Sequence, residues 1–171
     1  MADMNSAFAD AKSRSLGVTT RPATIGGSTF THGVYHWAAA LSIAANTNVT
    51  IKGSPSDIFT FITDGALSVA AMGRVILEAD PPGGGKPQVS NIAWAVAGVM
   101  TFGEDSRFEG VCLGTAAATF GASVKFNGRV FTALGAISLG AAVAIVEPSA
   151  GISLGPQAQL SLTLVPMSKR S

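Results

Sequence analysis

Phe102-Gly103-Glu104-Asp105-Ser106-Arg107-Phe108-Glu109-Gly110-Val111 is followed 18 residues on by Phe120-Gly121-Ala122-Ser123-Val124-Lys125-Phe126-Asn127-Gly128-Arg129, with Val130 one step further. Phenylalanine and glycine return to the same places. A period this short, with three strand-like pieces per copy, predicts a β-solenoid: one coil cannot bury its own interior, and stacking supplies the core. A sandwich would space its strands without returning one residue type to one place.

Around this repeat runs a second pattern, a small hydroxyl residue between two apolar ones. It occurs as Leu41-Ser42-Ile43, Leu67-Ser68-Val69, Met100-Thr101-Phe102, Ala118-Thr119-Phe120 and Ile137-Ser138-Leu139. Alternate side chains of a strand face opposite ways. The apolar flanks therefore point into the solenoid, and Ser42, Ser68, Thr101, Thr119 and Ser138 point out. Two residues on, the outward position holds Ala44, Ala70, Gly103, Gly121 and Gly140; two residues back it holds Ala40, Ala66, Val99, Ala117 and Ala136. Stacked, these strands form a side of methyls, bare backbone and hydroxyls, without charge.

Each coil divides into three sides. One is apolar on both faces: Val34-Tyr35-His36-Trp37, Ile58-Phe59-Thr60-Phe61-Ile62, Ile92-Ala93-Trp94-Ala95-Val96, Val111-Cys112-Leu113 and Val130-Phe131-Thr132-Ala133-Leu134. A strand apolar on both faces is covered on both faces. Residues 2–16 read as an α-helix, with Met4, Phe8, Ala11 and Ser15 on one stripe and Gly17 as a stop. This helix is the long element available as the cover. The hydroxyl side is the second. The third carries Lys52, Arg74, Glu78, Arg107, Glu109, Lys125 and Asn127, an ordinary solvated face.

The 171 residues suit one domain, and 12% are charged, about half the usual share. The formal net charge of +1 leaves no electrostatic footprint for nucleic acid or an acidic membrane. The apolar run 133–146 is broken by Gly135 and Gly140 and does not read as a membrane span. Cys112, the single cysteine, lies in an apolar run and reads as a small buried hydrophobe. The first twelve residues mix Asp3, Asp10 and Lys12 with apolar residues, unlike a signal peptide. In the loop 80–91, Gly83-Gly84-Gly85-Lys86 is followed by Pro87, without the hydroxyl and leading glycine of a phosphate-binding loop.

Gly33-Val34-Tyr35-His36-Trp37, Asp57-Ile58-Phe59-Thr60-Phe61, Asn91-Ile92-Ala93-Trp94-Ala95-Val96-Ala97-Gly98, Phe108-Glu109-Gly110-Val111 and Asn127-Gly128-Arg129, in this order, resemble the DUF3494-type ice-binding protein family of cold-adapted microorganisms. Ala2-Asp3-Met4-Asn5-Ser6-Ala7-Phe8 is similar to the start of that family's long helix. The resemblance runs from about residue 2 to residue 147. It implies an all-β solenoid, a right-handed triangular β-helix with one long α-helix along one side, and an ice-binding surface on one flat side. It also implies a secreted, monomeric protein without cofactor or metal. The flat side of the family falls on the strands of Ser42 to Ser138.

Two departures stand out. The resemblance implies a segment before the helix that supplies a coil beside the last one, and no counterpart to it is expected ahead of helix 2–16 in this sequence. Past Glu147-Pro148, Ile152-Ser153-Leu154-Gly155 copies Ile137-Ser138-Leu139-Gly140, and Leu160-Ser161-Leu162 follows. Residues 149–166 are expected to form extra strands that replace the coil, with Ser153 extending the hydroxyl column.

The expected activity is adsorption to ice, giving thermal hysteresis and inhibiting recrystallisation, with no catalysis. Two other readings remain open. A polysaccharide-cleaving β-helix needs paired carboxylates, but Asp64, Glu78, Glu104, Asp105, Glu109 and Glu147 are scattered. A non-catalytic adhesion or surface-binding module would use the flat face to bind sugar or another protein; sugar binding favours exposed aromatics, which the hydroxyl column lacks. His32 and His36 flank Gly33 at a strand start without an acid motif, a poor metal pair.

Overall fold

The hydroxyl tripeptides form short strands, three residues each, because turn residues close on both sides of them. In the computed structural model, residues 22–147 are described, together with Ser6, Ala9, Asp10 and Ser13. These last four carry helical backbone and are exposed; the rest of the helix expected over 2–16 lies outside the described residues, as do 148–171.

The chain opens with β1 (Thr29–Phe30) and β2 (Gly33–Trp37). The next coil is β3 (Leu41–Ile43), β4 (Asn48–Gly53) and β5 (Phe59–Thr63). Then come β6 (Leu67–Val69), β7 (Arg74–Ala79) and, after a 3-10 turn over Val89–Asn91, β8 (Ile92–Val96). Two tighter coils follow, β9 (Met100–Phe102) with β10 (Arg107–Gly114) and β11 (Ala118–Phe120) with β12 (Lys125–Thr132). The last described coil has β13 (Ile137–Leu139) and β14 (Ala144–Val146).

Every strand pairing among the described residues is parallel. Side A is a five-stranded sheet in chain order, β3-β6-β9-β11-β13. Side C stacks β1, β4, β7, the start of β10, the start of β12, and β14; side B stacks β2, β5, β8 and the ends of β10 and β12. Sides B and C join into one nine-stranded sheet because β10 and β12 run round the corner between them. The corner residues are Gly110, at φ +128°, and Gly128, at φ +148°. Glycine adopts this backbone without the steric cost other residues meet. Space requires it too: a Cβ on Gly110 would sit 2.7 Å from Trp94 Nε1 and 2.9 Å from Ile92 O.

The interior is a set of ladders of like side chains. Phe61 stacks on Trp94 with ring centroids 4.0 Å apart, Phe102 on Phe120 at 4.6 Å, and Phe108 on Phe126 at 5.4 Å. Each such buried ring contributes about 2–3 kcal/mol from area alone. Trp94 Nε1 donates to Glu109 O, and Trp37 Nε1 donates to Pro22 O. At the corner from side B to side A, Thr63 Oγ1 donates to Ala39 O and Thr115 Oγ1 to Ala97 O. The backbone therefore bends there without a buried hydroxyl going unmet. Cys112 is buried in this interior, and burial pushes its thiol pKa far up, so it is inert.

Side C holds the charges. Lys52 lies opposite Glu78 and within 3.4 Å of Asp80; Arg129, just past the Gly128 corner on side B, meets Glu147 at 3.1 Å. Burial pushes the carboxyl of Glu109 above its ordinary pKa; the amide of Asn127, donating at 2.7 Å, and the charge of Lys86 act the other way.

Two outcomes follow. Gly110→Val combines a forbidden backbone with overlap on Trp94 and should destabilise the fold by about 3 kcal/mol or more, read from urea unfolding. For Glu109, the raised native pKa means that its contribution is favourable below the ordinary glutamate pKa and is lost as pH rises through the native value. Glu109→Gln, whose carbonyl still accepts from Asn127, should therefore raise Tm at neutral pH and flatten the Tm profile above the ordinary glutamate pKa.

Candidate surface-binding face

On side A the register pairs Ser42 with Ser68, Ser68 with Thr101, Thr101 with Thr119, and Thr119 with Ser138. The five hydroxyl residues thus form one straight column. Ser68, Thr101, Thr119 and Ser138 are exposed and Ser42 is half-buried, while the flanking residues of the first four strands are buried. Period-2 alternation produces this directly: the pleat sends Leu41, Ile43, Leu67, Val69, Met100 and Phe102 inward and the hydroxyls outward.

The columns on either side are lower. Ala44, Ala70, Gly103, Gly121 and Gly140 run along one flank, and Ala40, Ala66, Val99, Ala117 and Ala136 along the other. Val99, half exposed, is the bulkiest side chain among these outward positions. Gly103 must remain bare: a Cβ there would lie 2.6 Å from Ala71 N and 2.7 Å from Ala70 C. The flank is kept flat by the contact between coils as much as by residue size. Backbone bonds such as Gly103 N to Val69 O, Gly121 N to Phe102 O and Gly140 N to Phe120 O, each 2.7 Å, hold it rigid.

The column has a sixth member that the sequence reading passed over. Thr24 forms an isolated parallel bridge with Ser42, and Thr24 Oγ1 lies 3.0 Å from Ser42 Oγ. The signal was present in Ala23-Thr24-Ile25, which has the pattern of Ala118-Thr119-Phe120 and stands 18 residues before Ser42. Pro22 and Gly26 on either side give it the look of a loop. Ile25 is nonetheless buried, as the alternation requires.

Other candidate groups lie elsewhere. His36 Nε2 is 3.0 Å from Asp64 Oδ2 at the edge of side B, and His36 Nδ1 is buried without a partner. His32 is exposed. Among the described residues no three His, Cys, Asp or Glu side chains gather as for a metal ion. Side C has a shallow open hollow of about 240 Å³ bordered by Arg107, Glu109, Lys125 and Asn127. Glu109, already bonded to Asn127, is the one carboxylate among its lining residues. Glu104 and Asp105 occupy a turn and are both exposed. Ser153 lies outside the described residues.

A family model described as Ice-binding-like matches residues 1–144. An ice-binding protein of Flavobacterium frigoris (strain PS1) is 36% identical over 107 residues, covering 63% of this chain and 36% of the relative. One from Lentinula edodes is 41% identical over 115 residues, covering 66% and 38%. The crystal structure of an ice binding protein from an Antarctic biological consortium superposes with a TM-score of 0.71 at 27% identity, covering 86% of this chain and 64% of that one. The matches span well under half the length of these two sequence relatives. Matched over most of its length, and with the solenoid architecture in place, this chain belongs to the ice-binding-like family.

Proposed function

We propose that this protein adsorbs to ice through side A, as a secreted monomer, producing thermal hysteresis and inhibiting recrystallisation. The contact residues are Thr24, Ser42, Ser68, Thr101, Thr119 and Ser138, with the alanine, glycine and valine columns beside them. The observation that carries this reading is the register: the hydroxyls repeat coil by coil on a flat flank that bears no charge. Relatives that are named ice-binding proteins support it.

The physics is that of a two-dimensional lattice. Stacked strands repeat at about 4.8 Å, and alternate residues along a strand at about 6.6–6.8 Å, repeats similar to oxygen spacings on ice planes. Methyls favour cage-like water over them, and hydroxyls anchor that water by hydrogen bonds. A charge would orient water around itself. Short side chains lose little entropy when fixed. Bound molecules force the ice front between them to curve, which lowers the local freezing point. Adsorption of this kind needs no cofactor and no catalytic group.

The finer architecture belongs to the same reading: a right-handed triangular β-helix with helix 2–16 lying on side B. Parallel crossovers are right-handed in nearly all sheets. Thr60, Ile62 and Ala95 point away from the interior on side B and are nonetheless 5%, 0% and 0% exposed. A cover of that kind accounts for their burial.

The test is a freezing-point assay on purified protein and variants. Thr101→Tyr and Thr119→Tyr lift the surface off the lattice; each should lose most of the hysteresis while stability changes by no more than about 0.5 kcal/mol. Lys125→Ala, on side C, should leave hysteresis unchanged. Undiminished hysteresis in both tyrosine variants removes side A as the contact face; absence of hysteresis in the parent protein removes ice binding.

A further inference from the structure

Most charged groups on side C face an opposite charge or an amide. Lys52 lies opposite Glu78 and near Asp80, and Glu109 accepts from Asn127. The first outward column of this side is different. Its register runs from Arg74 to Arg107 to Lys125, a cation on each of three successive coils, with Asn48 beyond one end and Ala144 beyond the other. All three cations are exposed, and none makes an ion pair or a side-chain hydrogen bond among the described residues. Register partners stand about 4.8 Å apart, and like charges placed opposite one another destabilise a sheet. The fold keeps this row without relieving it.

Carboxylates flank the row and do not interrupt it. Glu104 and Asp105 occupy the exposed turn before Arg107. Glu109 belongs to the next outward column, where its register partner is Asn127, which donates to it at 2.7 Å. The cation whose charge acts on Glu109 is Lys86, from the loop 80–91. Arg107 and Lys125 are thus left to meet something else.

Beside them the surface dips into the hollow of about 240 Å³, whose further walls are Asn127, Ala144 and Val146. Two cations, an amide and two small apolar side chains share this depression. Beyond its bond to Glu109, the Asn127 amide keeps a second N–H and its carbonyl oxygen for a ligand.

We propose that this row and hollow bind a polyuronate, a polysaccharide with one carboxylate on each sugar ring, laid along the direction in which the coils stack. A ring in such a chain advances by a distance similar to the interval between coils, so successive carboxylates meet Lys125, Arg107 and Arg74. The guanidinium fork matches a carboxylate with two parallel hydrogen bonds. The hollow takes one ring, with its hydroxyls toward Asn127 and its C–H groups against Ala144 and Val146. Charge complementarity selects an anionic chain, and the side chains around the row select sugar over nucleic acid. Single-stranded nucleic acid is held on aromatic platforms, whereas the aromatic residues of side C, Phe30, Phe108 and Phe126, are buried. Side A is a separate sheet, and the site stands independently of ice binding.

Titration calorimetry of the full chain with oligogalacturonate at low ionic strength tests the site. Binding should weaken as salt is raised, and the neutral galactose oligomer should not bind. Arg107→Gln should lower affinity by about threefold or more, and Arg107→Gln with Lys125→Gln by about tenfold or more. Lys52→Gln removes the same charge from the same side but outside the row, and should leave affinity within about twofold of the parent. No binding of oligogalacturonate overturns the proposal. A loss with Lys52→Gln equal to that with Arg107→Gln overturns it too, because general charge attraction then accounts for the binding. Equal binding of the neutral oligomer removes the row from recognition. Binding of dextran sulfate or of oligothymidylate without binding of oligogalacturonate overturns it in favour of a sulfated chain or a nucleic acid.

Discussion

Parallel in-register stacking is the constraint on which the rest of this molecule depends. Each residue faces its counterpart about 4.8 Å away in the next coil, so whatever occupies a position must tolerate its own kind above and below. Aromatic rings satisfy this by stacking, as Phe102 does on Phe120 and Phe108 on Phe126. Glycines satisfy it at corners where a Cβ would enter the neighbouring coil, as at Gly110. Outside, the same rule turns one hydroxyl residue per coil into a straight row.

The three sides divide the work. Side C carries most of the charges, which organise water locally. Side B is apolar outward as well as inward, and its outward residues Ile62 and Ala95 are fully buried. Side A is left with short, uncharged groups on a surface held by bonds between neighbouring coils. In the proposed ice contact rigidity matters, because an ordered water layer would last only as long as the groups that template it. The 2.7 Å bonds along the glycine flank provide that, at the place where side chains offer least.

Much of this was legible in the chain. The 18-residue repeat of Phe102 and Phe108 matches the pairing of β9 with β11 and of β10 with β12. The hydroxyl tripeptides coincide with β3, β6, β9, β11 and β13. Thr24 was missed because its strand is reduced to a single bridge between turn-forming neighbours. The fusion of sides B and C was also invisible. It depends on Gly110 and Gly128 letting a strand round a corner unbroken, whereas Ser54–Asp57 and the loop 80–91 interrupt the same corner in the two preceding coils.

The sequence alone determined the period, the alternation, and hence which residues turn toward solvent, because these follow from local strand geometry and from the spacing of like residues. Which solvent-facing residues become neighbours was decided only in three dimensions. Coils of unequal length align by the fit of their interiors and corners, and that fit brings Thr24 beside Ser42, sets Ser68 against Thr101 across the long insertion, and puts Ile137, Leu139 and Ile145 in register with the inward columns though they are exposed.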